Sequence, residues 1–122
     1  MIGSFPFRTA KKILFGTGTI EQVGSELRSA GAGNAVIITD KTIREAGWAE
    51  KVQAILDASG IPSTVWDEGE AEPSAEVGQK AIAFTRGGGF DSVVGLGGGS
   101  AMDIAKGAAV SLTFKGDLRG WL

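Results

Sequence analysis

The run Ala35-Val36-Ile37-Ile38-Thr39 constrains this chain more than any other segment. It is continuously apolar and of strand length, the pattern of a strand covered on both faces rather than one with a wet side. Such a strand needs neighbours in a sheet and a helical layer above and below it, and the surrounding sequence supplies both. Lys12-Ile13-Leu14-Phe15, Ser63-Thr64-Val65-Trp66 and Ser92-Val93-Val94-Gly95-Leu96 read as further strands. Between them, Ile20, Val23, Leu27 and Ala30 share one helical face, with Thr19 and Gln22 as a capping box and Gly31 as C-cap. A helical turn is expected from Lys41 to Ala46, and Trp48, Val52, Ile55 and Leu56 mark a helix ended by Gly60. Pro73 suits the first turn of another helix, with Val77, Ala81 and Phe84 inward and Gly87-Gly88-Gly89 as its stop. The last helix follows a glycine run and turns Ala101, Ala105, Ala108 and Leu112 inward; their small size lets it lie close to the sheet.

Strand alternating with helix implies parallel strands joined by crossovers. The expected fold is α/β: a Rossmann-like, doubly wound, mainly parallel sheet with helices on both faces. The 122 residues suit one domain, 1–122. The irregular stretch 114–122 reads as leading into a further domain. Ligands of such sheets bind beyond the carboxyl ends of the strands, where strand order reverses.

Composition narrows the chemistry. A net charge of −2 without a basic run argues against a nucleic-acid partner. No apolar run reaches the ~20 residues of a membrane helix. With Cys, His and Tyr all at zero, there is no thiolate, no phenol and no imidazole to serve as base or metal ligand. The chain is therefore not expected to complete a reaction alone, and the lack of Cys suits a reducing cytoplasm.

Against those absences stands Gly97-Gly98-Gly99-Ser100, placed between a strand and a helix. Glycines let backbone N–H groups approach a diphosphate, and the helix N-terminus adds partial positive charge. Ser100 offers a hydroxyl. The plainer reading is a tight turn with Ser100 and Asp103 as a capping box; three glycines exceed what a cap requires. The segment misses G-x-G-x-x-G at its last position and lacks the Lys-Ser/Thr of a P-loop. Gly16-Thr17-Gly18 is a rival, but Glu21 would crowd a phosphate there, and a simple turn is the better reading. Asp40, ending the apolar run, either accepts the ribose hydroxyls of an adenosine or caps the turn from Lys41. Lys106 pairs with Asp103 at i,i+3, and the acidic stretch from Asp67 to Glu72 reads as a solvated loop, not a metal site.

Taken together, Ile13–Gly18, Ala35–Lys41, the helix-closing Gly31 and Gly60, and above all Val93–Lys106 resemble the N-terminal nucleotide-binding domain of the iron-containing (group III) alcohol dehydrogenases. Gly-Gly-Gly-Ser-x-x-Asp-x-x-Lys after a buried strand is that family's signature. The resemblance implies NAD, less so NADP, with the pyrophosphate on Gly97, Gly98, Gly99 and Ser100. Asp103 then lies beside the nicotinamide and Asp40 on the adenosine ribose. It implies an alcohol–aldehyde or alcohol–ketone substrate pair and a homodimer or higher homo-oligomer. It further implies Fe2+ or Zn2+ held by one Asp and three His of a helical second domain, which this chain does not contain. Many relatives carry Asn-Pro-Thr where this chain has Glu72-Pro73-Ser74. Other readings are a stand-alone nucleotide-binding module, or a relative of glycerol or sugar-phosphate dehydrogenases or of dehydroquinate synthase.

Overall fold

The computed structural model describes residues 12–71 and 74–113. At its centre is β1, Ala35–Ile38, with every residue buried. Two parallel neighbours flank it, β2 (Ser63–Trp66) and β3 (Ser92–Gly95), giving the order β2-β1-β3. Ala35 aligns with Ser63 and Ser92, and Ile38 with Trp66 and Gly95.

Two-residue periodicity then divides the core. Val36 and Ile38 point to one face, where Trp66 joins them beneath Val77 and Ala81 of α4 (Ala75–Gly87) and Ile104, Ala105 and Ala108 of α5 (Gly99–Ser111). Ala35 and Ile37 point to the other, against Val52 and Leu56 of α3 (Trp48–Ala58) and Ile61. Val23 and Leu27 of α1 (Val23–Ser29) complete that layer, with Ile20 from the preceding 3-10 turn, Thr19–Gln22. Fully burying each such aliphatic contributes about 1.5–3 kcal/mol, so both layers are anchored on the four residues of β1. The β1–β2 crossover runs through α2 (Lys41–Glu45) and α3 on one face, and the β2–β3 crossover through α4 on the other. Strand order therefore reverses between β1 and β3. The fold is the expected α/β sheet covered on both faces, with three strands among the described residues.

Several expectations are corrected. Lys12–Phe15 is not a strand: no described strand pairs with it, and Ile13 and Phe15 are 79% and 98% exposed. Its apolar residues join no ladder among the described strands, which pair only in the order β2-β1-β3. The Thr19–Gln22 capping box does not form; the Thr19 hydroxyl donates to the Gly16 carbonyl at 3.2 Å, and Gly18 holds the cap position at φ 78°. Ala30 is exposed at the C-cap of α1. Trp48 turns outward, with the Lys51 ammonium 5.5 Å from its ring, while Ala49 is buried instead. Phe84 lies partly exposed and stacked on Phe90, and Ile82 and Thr85 take the inner face of α4. Ile104 joins the alanines beneath α5, and Leu112 is only half-buried. The helix-opening role expected of Pro73 and the stretch 114–122 lie outside the described residues. The α4 cap is Ser74, whose side chain accepts from the Val77 amide.

At the amino ends of the strands Asp91 ties β3 to the β1 entry. The Gly33 amide donates to both of its oxygens, at 3.1 and 2.9 Å, and the Asn34 amide to one, at 3.1 Å. The Asn34 amide, then that of Gly33, holds the carboxyl below the usual carboxylate range. A depressed folded-state pKa stabilises above the unfolded pKa and is lost as pH falls through the folded one. Denaturant titrations should therefore show Asp91→Asn less stable at neutral pH, with the difference shrinking below about pH 4. Close packing gives a second expectation. A Cβ on Gly95 would lie 2.8 Å from the Ala105 Cβ. Gly95→Val should lower the urea midpoint by the equivalent of about 1–3 kcal/mol, since α5 must lift from β3.

Candidate functional site

The reversal of strand order brings Asp40, after β1, beside Gly97, after β3. Asp40 begins α2 as its N-cap, with Oδ1 accepting from the Ile43 amide at 2.8 Å. The capping alternative is thus realised, but only by one oxygen. The other, Oδ2, stands 3.8 Å from where a Gly97 Cβ would be. Cap and ligand contact are compatible, because a carboxylate has acceptor sites on both oxygens.

The three glycines are glycine for different reasons. Gly97 has φ 140°, and a Cβ there would meet the Ala101 Cβ at 3.1 Å. Backbone conformation and packing both require it. Gly98 has φ −83°, which any residue adopts, and Gly99 begins α5. A Cβ on either would meet nothing within 4 Å. Internal packing therefore gives no reason for two bare positions in a row at the mouth of a helix.

That mouth is open. Gly98 caps α5 without a side-chain hydrogen bond, and no acidic residue occupies the first turn. By contrast, α2 is capped by Asp40 and α4 by Ser74, with Glu76 in the first turn of α4. The early N–H groups of α5 and its partial positive charge are consequently available to an anion. The Ser100–Asp103 capping box is absent. Asp103 is 75% exposed and 3.9 Å from the Lys106 ammonium, the i,i+3 pair that its spacing suggests. Ser100 gives its hydroxyl proton to the Ala71 carbonyl.

Ala71 belongs to the loop after β2, which the sequence presents as merely acidic and solvated. Asp67 is instead only 22% exposed and tied to Arg44 at 3.0 Å and Lys41 at 3.7 Å. Asp67 and Lys41, together with Asp40, Gly69, Val77 and Lys80, line a cleft of about 440 Å3. Sequence reasoning missed two residues here. Gly69 donates its amide to the Thr39 carbonyl at 3.0 Å and approaches so closely that a Cβ would lie 2.7 Å from that oxygen. Thr39, fully buried, donates its hydroxyl to the Leu96 carbonyl at 2.7 Å, joining the ends of β1 and β3. A hydroxyl ending an apolar run, and a lone glycine among acids, were the available signals.

Metal chemistry finds no support in this edge. Among the described residues no group of three or more potential ligands could hold an ion, and the sequence has no His or Cys. The rival turn at Gly16–Gly18 is only a turn, and Glu21 beside it pairs with Lys51 at 3.0 Å. No described helix is long and apolar enough to cross a membrane.

Comparison with known proteins gives a consistent result. The family model "Iron-containing alcohol dehydrogenase" matches residues 10–120. Long-chain-alcohol dehydrogenase 1 of Geobacillus thermodenitrificans is 38% identical over 107 residues, covering 88% of this chain and 27% of that protein. The human mitochondrial hydroxyacid-oxoacid transhydrogenase is 36% identical over 79% of this chain and 21% of its own length. Among solved structures, NADH-dependent butanol dehydrogenase A of Thermotoga maritima superposes with a TM-score of 0.82 at 28% identity, over 94% of this chain and 29% of that one. The chain thus spans less than a third of the length of these relatives.

The glycines give a direct test. Gly97→Ala should destabilise the fold by about 1–2 kcal/mol through its positive φ and the Ala101 contact. Gly98→Ala should be neutral or stabilising by about 0.4–1 kcal/mol, because it only restricts the unfolded chain. Thermal or urea unfolding of the pair measures the difference.

Proposed function

This chain belongs to the iron-containing alcohol dehydrogenase family, and from that premise we propose that it is the NAD-binding part of a metal-dependent oxidoreductase interconverting an alcohol with an aldehyde or ketone. One observation carries the reading: α5 opens uncapped behind two glycines whose missing side chains the fold itself does not demand. A pyrophosphate fits that opening. The amides of Gly98, Gly99 and Ser100 would hold it by charge-assisted hydrogen bonds, each roughly twice as strong as a neutral one. Bare glycines would allow the backbone to reach it. The free Oδ2 of Asp40 would accept from a ribose hydroxyl and repel a 2′-phosphate, favouring NAD over NADP. Asp103, exposed farther along α5, would stand beside the nicotinamide end.

When bound, the nicotinamide supplies hydride transfer. This chain's residues would bind and orient the dinucleotide; no metal-dependent step is assigned to them, because among the described residues no group of ligands could hold an ion. We therefore infer that the chain binds cofactor without turning over an alcohol by itself, and that a small-molecule alcohol or carbonyl compound is the substrate of the whole enzyme. A homo-oligomer in a reducing compartment such as the cytoplasm completes the reading.

Calorimetric titration of the chain with NAD should show binding that Gly98→Val removes without unfolding the protein. Asp40→Asn keeps an acceptor for the Ile43 amide while deleting the charge. It should shift the ratio of NADP to NAD affinity toward NADP on the order of tenfold at low salt. No NAD binding at millimolar cofactor overturns the cofactor assignment, and an unchanged ratio overturns the role of Asp40.

A further inference from the structure

Ser100 is where the signature and the geometry part. A serine hydroxyl has one proton to donate, and a phosphate oxygen can only accept. In this structure that proton goes to the Ala71 carbonyl. Hydrogen bonding to Ala71 and hydrogen bonding to a phosphate are therefore mutually exclusive uses of the same group.

The Ala71 contact closes a circuit. The Leu96 carbonyl accepts from the Thr39 hydroxyl at 2.7 Å, and the Thr39 carbonyl accepts from the Gly69 amide at 3.0 Å. Two residues on, Ala71 accepts from Ser100, which returns through the glycine turn to Leu96. Asp67 anchors the near end of the loop on Arg44 at 3.0 Å. The loop lies so close to the end of β1 that only glycine fits: a Cβ at Gly69 would stand 2.7 Å from the Thr39 oxygen and 3.7 Å from the Asp40 Cβ. The loop 67–71 thus forms the wall of the cleft that Asp40 lines, and Ser100 is its only side-chain tether to α5 among the described residues.

We propose that the Ser100 hydroxyl is a positioning group: it acts through Ala71 to hold the 67–71 loop against Thr39, fixing the wall of the adenosine-side cleft, and it is not a ligand of the pyrophosphate. Any pyrophosphate contact of Ser100 is made by its backbone amide. This rests on the dinucleotide reading above, but the tether itself is measurable without any ligand.

The experiment is hydrogen exchange of the Gly69 amide, followed by NMR, combined with titrations of 5′-AMP and inorganic pyrophosphate. In Ser100→Ala the Gly69 amide should exchange about two- to tenfold faster, the effect of losing one hydrogen bond in the circuit. Affinity for 5′-AMP should fall by a similar factor while that for pyrophosphate stays within about twofold. Ser100→Thr, which keeps the hydroxyl, should restore both. Unchanged Gly69 exchange in Ser100→Ala overturns the tether. Accelerated exchange with an equal loss of pyrophosphate affinity overturns the exclusion of the hydroxyl from the phosphate. If the unaltered chain binds neither ligand, the dinucleotide reading fails and the cleft-wall role with it, whatever Gly69 exchange then reports of the tether.

Discussion

Everything in this structure hangs from the double pairing of β1. A strand with all four residues buried can exist only if both its edges are hydrogen-bonded and both its faces covered, since any unpaired amide there is cut off from water. Those two demands select β2 and β3 as neighbours, α1 and α3 for one face, and α4 and α5 for the other. They also fix where β1 ends. Thr39 and Asp40 emerge between the ends of its two neighbours, so the polar groups that follow the apolar run arrive together at one edge.

That edge works by subtraction. Side chains are missing at Gly97 because the backbone turns and α5 lies close; they are missing at Gly98 and Gly99 without any internal need. What remains is a helix end with free N–H groups and no acidic residue in its first turn. An anion would meet several fixed donors there without having to reorganise them. Across the turn, in the proposed reading, the Asp40 carboxylate would oppose a second phosphate while accepting hydroxyls. Attraction and repulsion a few ångströms apart would give the edge polarity along the proposed dinucleotide.

The cleft wall adds a second level of order. Hydrogen bonds through Thr39, Gly69, Ala71 and Ser100 connect three separate chain segments around the same opening. Each is a single bond of modest worth, and none lies within a helix or a strand ladder. Loops organised in this way are set by the scaffold beneath them, as is common where a rigid sheet presents its function on connecting segments.

Periodicity in the sequence was enough to give the layers, the parallel crossovers, the glycine turn and the boundaries of β2, because burial on a sheet or helix face imposes a repeat that a linear sequence records. It was also enough to single out Asp40 and Gly97–Ser100, whose residue types are unusual at the end of apolar strands. Where a residue's role depends on a neighbour distant in the chain, the sequence was silent or misleading. Ile13-Leu14-Phe15 has the alternation of a strand but no ladder in the described structure, and Trp48 has the spacing of a core residue yet faces outward. Thr19 and Ser100 look like helix caps, but their hydroxyl protons go to the carbonyls of Gly16 and Ala71. A hydroxyl's choice of acceptor, the fit of Gly69 against Thr39 and the division of labour between the two oxygens of Asp40 are decided by distances between segments. Tertiary packing alone sets those distances.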